Sequence, residues 1–138
     1  MEFHYKKVYL GSDGQGYGAK RELFEFFRHH DELEIIDLGL FDIEEKIECD
    51  VLAREIGEKV IQNDDSIGIL LSYSNEASKM HQAVSDMKGV KPVMACSMAD
   101  LDSSGFEIGE INMITIPCEN DDFESLRELI YAVMKSKK

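Results

Sequence analysis

Short apolar runs of strand type alternate with segments of helical period along this chain, and that alternation constrains the fold more than any other feature. The runs are Lys7–Ser12 (KVYLGS), Glu34–Leu38 (EIIDL), Ile67–Ser72 (IGILLS), Pro92–Cys96 (PVMAC) and Ile111–Ile116 (INMITI). Three of them are nearly continuous Val, Ile, Leu and Met, as strands covered on both faces require. Between them, Ala19, Leu23 and Phe27 share one helical face, as do Leu52, Ile56 and Val60. Ala77, Met80, Val84 and Met87 form a third stripe, and Phe123, Leu126, Ile130 and Val133 a fourth, with Asn120 and Asp121 as cap residues for the last helix. The stretch Ala99–Glu110 holds two glycines and a Ser-Ser pair, which predicts a short helix or a loop. Strand–helix alternation of this kind implies right-handed crossovers. The expected fold is α/β, a three-layer α/β/α sandwich around a doubly wound, five-stranded parallel sheet. No linker or repeat interrupts residues 1–138, so a single domain is expected.

Charge narrows the partners. The formal net charge is −13, from 28 acidic and 15 basic residues, which repels phosphate backbones and anionic lipid. Nucleic acid and membrane are therefore not expected partners. No apolar run approaches the roughly 20 residues that span a bilayer. Met1-Glu2-Phe3-His4 lacks the charged-then-apolar layout of a signal peptide. The cysteines Cys49, Cys96 and Cys118 are odd in number and widely spaced. Buried thiols in a reducing cytoplasm are the expectation for all three.

Open parallel sheets bind ligands beyond the carboxyl ends of their strands, near the reversal of strand order. The first run leads there into Gly11-Ser12-Asp13-Gly14-Gln15-Gly16-Tyr17-Gly18-Ala19-Lys20, and the third into Ser72-Tyr73-Ser74-Asn75-Glu76. The glycine loop is not a P-loop, because Ala19 and not Lys follows Gly18, and its G-x-G-x-G spacing does not fit the dinucleotide fingerprint. Asp37, followed by Leu38 inside the predicted strand, does not offer a ribose-binding acid. A phosphoacceptor domain needs Asp after the third strand and Lys after the fifth, where this chain has Ser72 and Pro117. His29 and His30 close a helix, where cations meet its dipole favourably, and His81 has no ligand-type residue four positions on, so no metal is expected.

The motif Gly11-Ser12-Asp13-x-x-Gly16-Tyr17-x-x-Lys20-x-x-Leu23 resembles the G-S-D-H-A-G-F-x-L-K-x-x-L opening of the family of ribose-5-phosphate isomerase B and galactose-6-phosphate isomerase. Ile35-Ile36-Asp37-Leu38-Gly39 is similar to its V-I-D-L-G, and Ile67-Gly68-Ile69-Leu70-Leu71 to its R-G-I-L-I. Gly89-Val90-Lys91 is similar to its G-I-R, and Asn112-Met113-Ile114 to the start of its N-V-L-A-L-G. The likeness runs from about Lys7 to Ile116. It implies interconversion of aldose and ketose phosphates through an enediolate, with neither metal nor cofactor, in dimers or higher oligomers whose sites lie between subunits. Such chemistry needs a base, oxyanion donors, groups that open the sugar ring, and cations for the phosphate.

Position by position, much of that equipment differs. The family's C-G-T-G-I-G, whose Cys is the base, reads Ser72-Tyr73-Ser74-Asn75-Glu76-Ala77 here, and none of the three glycines is kept. The ring-opening His of the first motif is Gly14. The His after the fourth strand aligns with Cys96 or Ser97, and the His-Asn pair before the fifth with Ile108 and Gly109. The terminal Gly-Gly-Arg-His has no counterpart after Ala132-Val133-Met134-Lys135, while Ser12, Asp13, Gly16 and Lys20 remain. Some branches use a Glu in a loop like G-G-S-G-N-G-E, and Ser74-Asn75-Glu76 resembles a shortened form of it. The resemblance thus makes Asp13 and Glu76 the candidate catalytic acids, with Ser12, Gly14, Ser72, Ser74 and Asn75 as candidate substrate contacts. Two functions stay open: an isomerase of a phosphorylated sugar, and a partner subunit or sugar-phosphate-binding protein of the same fold. A homodimer, or a heteromer with a related subunit, is expected. The resemblance suggests it, as does a Met- and Phe-rich helix complement that includes Phe26, Phe27, Met80 and Met87.

Overall fold

The computed structural model describes residues 5–12, 17–38, 48–72, 76–107, 109–117 and 123–134. Five strands form one parallel sheet: β1 (Lys7–Ser12), β2 (Glu34–Asp37), β3 (Ser66–Ser72), β4 (Pro92–Met94) and β5 (Met113–Pro117). Five helices alternate with them: α1 (Tyr17–Phe27), α2 (Cys49–Gln62), α3 (Glu76–Ser85), α4 (Met98–Ser103) and α5 (Phe123–Met134). The strand order is β2-β1-β3-β5-β4, all neighbours parallel. Chain order leaves β1 for one side and returns on the other, so the topological switch lies between β1 and β3.

The two faces of the sheet carry separate cores. Val8, Leu10, Ile69, Leu71 and Ile114 pack with α1 and α5, through Ala19, Leu23, Phe27, Ile130 and Val133. Tyr9, Leu70 and Met113 pack with α2 and α3, through Leu52, Ile56, Val60, Met80 and Val84. The three-layer expectation holds. β3 is buried at every residue, which is why its run is apolar without alternation. Differences fall at element ends. β2 stops at Asp37, with Leu38 just beyond it, and β4 stops at Met94, two residues short of the predicted run. Met87 packs on the core from beyond the end of α3. The Ala99–Glu110 stretch contributes the end of the short α4, whose Ser97 cap accepts a bond from the Asp100 N–H at 3.3 Å. The expected caps Asn120 and Asp121 lie outside the described residues.

Phe27 and Met80 are fully buried, and Phe26 and Met87 pack on the same cores, so these four side chains are used within the chain. Their packing within the chain accounts for them without a second subunit, so they do not by themselves argue for a dimer. His29 and His30 lie just past the end of α1, where His30 packs edge-on against Phe26 and Tyr131 at centroid distances of 5.5 and 6.0 Å.

One close approach has a measurable consequence. A Cβ at Gly68 would lie 2.5 Å from Ile56 Cγ2 and 2.7 Å from Met113 Sδ, where α2 rests on the sheet. At Gly18, in the first turn of α1, a Cβ meets nothing within 4 Å. Gly68→Ala is therefore expected to destabilise by about 1–3 kcal/mol through overpacking. Gly18→Ala is expected to stabilise by about 0.5 kcal/mol through the entropy of the unfolded chain. Thermal melts should move in opposite directions, and a neutral Gly68→Ala would show that the helix–sheet contact is looser than described.

Candidate functional site

The carboxyl ends of β1 and β3 lie side by side at the switch point. Ser12 pairs in register with Leu71, one residue before Ser72, and Ser72 pairs with Pro117 of β5. Glu76 opens α3 four residues beyond Ser72, at the same end of the sheet. Ser12, Ser72 and Glu76 are thus brought to one edge. Their side chains do not all converge. Ser12 has the parity of Leu10 and faces the α1–α5 core, whereas Ser72 has the parity of Leu70 and faces the α2–α3 core. Both serines are fully buried, and Ser12 Oγ has no hydrogen-bond partner among the described residues. Asp13, Gly14, Ser74 and Asn75 lie outside the described residues.

Glu76 is not isolated. The Cys49 thiol, at the first residue of α2, donates to Glu76 Oε2 at 2.8 Å. Lys79, one turn along α3, donates to Oε1 at 3.2 Å. The two bonds, that from Cys49 first, hold the Glu76 carboxyl below the usual glutamate range. Burial, reinforced by the bond to Glu76 and that residue's charge, pushes the Cys49 thiol up to about 11. An open groove beside the pair is lined by Glu48, Cys49, Asp50, Arg54, Glu76, Lys79, Gln82 and Ala83. Residue-by-residue reading missed Cys49, because it is separated from Glu76 by 27 positions and only the packing of α2 on α3 joins them. Its one local signal was a thiol at a helix start.

The expectation of buried thiols fails at the two described cysteines: Cys49 is part-exposed and Cys96 is exposed. Each donates to a carboxylate, Cys49 to Glu76 and Cys96 to Asp100, whose Oδ2 accepts from the Cys96 N–H at 3.0 Å and from its thiol at 3.4 Å. The Cys96–Ser97 segment, which aligns with a histidine of the resembled family, is thus engaged in starting α4. Cys118 lies outside the described residues.

Lys20 and Asp37 also acquire a different meaning. Lys20 is 1% exposed, and its Nζ donates to Asp37 Oδ1 at 2.9 Å, with the ammonium 5.3 Å from the centroid of the Tyr17 ring. Asp37 ends β2 and turns toward α1, and the ion pair ties the first helix to the edge strand. Among the described residues no group of three or more His, Cys, Asp or Glu side chains suits a metal ion.

The family model described as Ribose/Galactose Isomerase matches residues 8–132. The chain belongs to that family. Solved members of similar fold include the ribose-5-phosphate isomerase B of Anaplasma phagocytophilum, 20% identical with a TM-score of 0.82, covering 99% of this chain and 90% of that one. The Clostridium thermocellum ribose-5-phosphate isomerase B is 19% identical with a TM-score of 0.78, covering 92% and 82%. The Trypanosoma cruzi type B ribose 5-phosphate isomerase is 18% identical with a TM-score of 0.78, covering 94% and 82%. At these identities the likeness is one of fold. No curated protein matches the chain. For this ribose/galactose isomerase family chain, no described helix is long and apolar enough to cross a membrane.

Proposed function

We propose that this chain takes a phosphorylated sugar at the carboxyl ends of β1 and β3, and that aldose–ketose interconversion there depends on a related subunit. In this reading Asp13 and Glu76 accept from sugar hydroxyls, and Ser12, Gly14, Ser72, Ser74 and Asn75 complete the cradle. The observation that carries the ligand site is the pair of strand ends at the topological switch, with Glu76 just beyond them and the buried Ser12 hydroxyl, on the α1–α5 side, without a partner among the described residues. A buried hydroxyl in that state gains most from a ligand oxygen. The dependence on a second subunit is supported by the state of Glu76. A carboxylate held ionised by a thiol and an ammonium is a good acceptor and a weak base. The bulk charge of −13 also opposes capture of a dianionic sugar phosphate by this chain alone. The free thiols of Cys49 and Cys96 support a cytoplasmic setting.

A second reading, an isomerase complete in itself with Glu76 as base, is favoured by the position of that carboxylate at the start of α3. The ligand site is tested by titrating ribose-5-phosphate and galactose-6-phosphate into labelled protein. Amide shifts should concentrate at Ser12, Ser72 and Glu76, and Ser12→Ala should weaken the binding. Shifts confined to the opposite end of the sheet would overturn the site.

A further inference from the structure

We propose that Cys49 is the positioning residue of Glu76, a thiol donor that holds the carboxylate in one orientation at the mouth of the site. The inference deepens the proposed function and rests on the reading of Glu76 as a sugar contact. Helices α2 and α3 start at the same end of the sheet and on the same face, and their first residues meet. Two donors grip different oxygens of the carboxylate, with Cys49 Sγ 2.8 Å from Oε2 and Lys79 Nζ 3.2 Å from Oε1. A carboxylate bonded through both oxygens has little freedom to swing.

Chemistry decides which partner is the donor. Cys49 is part-buried, with one side packed against the α2–α3 core. That apolar side disfavours a thiolate, as do the Glu76 and Asp50 carboxylates. Lys79 acts in the opposite sense on the thiol, and Glu48 and Arg54 line the same groove. The balance leaves S–H as donor and the carboxylate as acceptor. A thiolate in its place would set two anions against each other. The role is specific to an atom that donates, so serine should replace it and alanine should not.

The experiment follows the Glu76 side-chain carboxyl carbon by NMR through an acid titration, without ligand, in wild type, Cys49→Ala and Cys49→Ser. The midpoint is expected to rise in Cys49→Ala and to stay low in Cys49→Ser. In a reciprocal test, peptide-resolved labelling with iodoacetamide near pH 9 should be faster at Cys49 in Glu76→Gln, with Cys96 as the internal reference. Losing the carboxylate removes one cause of the raised thiol value, so more thiolate is present at that pH. Ribose-5-phosphate binding should weaken on the order of fivefold in Cys49→Ala, the effect of one ordinary hydrogen bond. An unchanged Glu76 midpoint in Cys49→Ala, or unchanged Cys49 labelling in Glu76→Gln, would overturn the positioning role. Failure of wild type to bind any sugar phosphate would instead remove the ligand reading and leave the titration result standing.

Discussion

Asp37→Ala is expected to cost about 3 kcal/mol of stability, well beyond what an ordinary surface carboxylate contributes. The reason is the asymmetry of the pair. Its ammonium belongs to Lys20, 1% exposed, whereas the Asp37 side chain is 18% exposed. Removing Asp37 takes away a carboxylate 2.9 Å from a charge that water barely reaches. Removing the charge instead, by Lys20→Met, leaves a carboxylate with access to solvent and an apolar side chain in an apolar place. Swapping buried charge for a hydrophobe of similar volume is often close to neutral. The two variants of one ion pair should therefore differ. In urea, with a slope near 2 kcal/mol/M, the Asp37→Ala midpoint should fall by about 1.5 M and the Lys20→Met midpoint by much less. Equal and small shifts would show that the pair acts as a surface salt bridge and that Lys20 is better hydrated than its burial implies.

The same pair shows what a linear reading reaches. The sequence marks Lys20 only as a kept motif residue, and Asp37 only as a strand residue that offers no ribose-binding acid. Their connection depends on α1 folding back onto the sheet beside the end of β2, a tertiary fact with no local period. The strands were legible for a simple reason. β1 and β3 are flanked by other strands and β3 is covered on both faces, so their sequences must be apolar nearly throughout. The helices were legible because α1, α2, α3 and α5 each bury one stripe, with Leu23, Ile56, Met80 and Ile130 at its centre. Ends were less legible: β4 is a three-residue edge strand, and short edge strands bury too little to write a clear pattern.

For the candidate site, the strand-end rule points to the loops after Ser12 and Ser72, and the family resemblance points to Glu76. The parity that sends the two serines to opposite faces is written in the strands themselves, in Leu10 beside Ser12 and Leu70 beside Ser72, but it acquires a direction only once each face has its helices. Cys49 was not found, because a bond across 27 positions needs α2 and α3 to be placed. Composition alone predicts one more buried thiol, whereas Cys49 is part-exposed and donates to a carboxylate.

The second large effect concerns proton transfer. Purified alone, the chain is expected to exchange solvent deuterium into ribose-5-phosphate or galactose-6-phosphate far more slowly than a relative that carries the Cys and His motifs. Loss of a well-placed base removes about 100- to 10,000-fold in rate. Loss of the oxyanion donors removes about 100- to 1,000-fold more. Glu76 does not compensate, because its bonds to Cys49 and Lys79 stabilise the ionised form and so weaken it as a base. Cys49 does not compensate either, since a thiol raised to about 11 holds little thiolate at neutral pH.

Deuterium exchange into these two sugar phosphates, measured for wild type, for Glu76→Gln and for wild type co-expressed with a motif-bearing relative, is the most direct test. The expected result is exchange at the buffer rate for both forms alone and clear exchange when the relative is present. Robust exchange by the chain alone, abolished in Glu76→Gln, would contradict the account and make Glu76 the base of a complete isomerase.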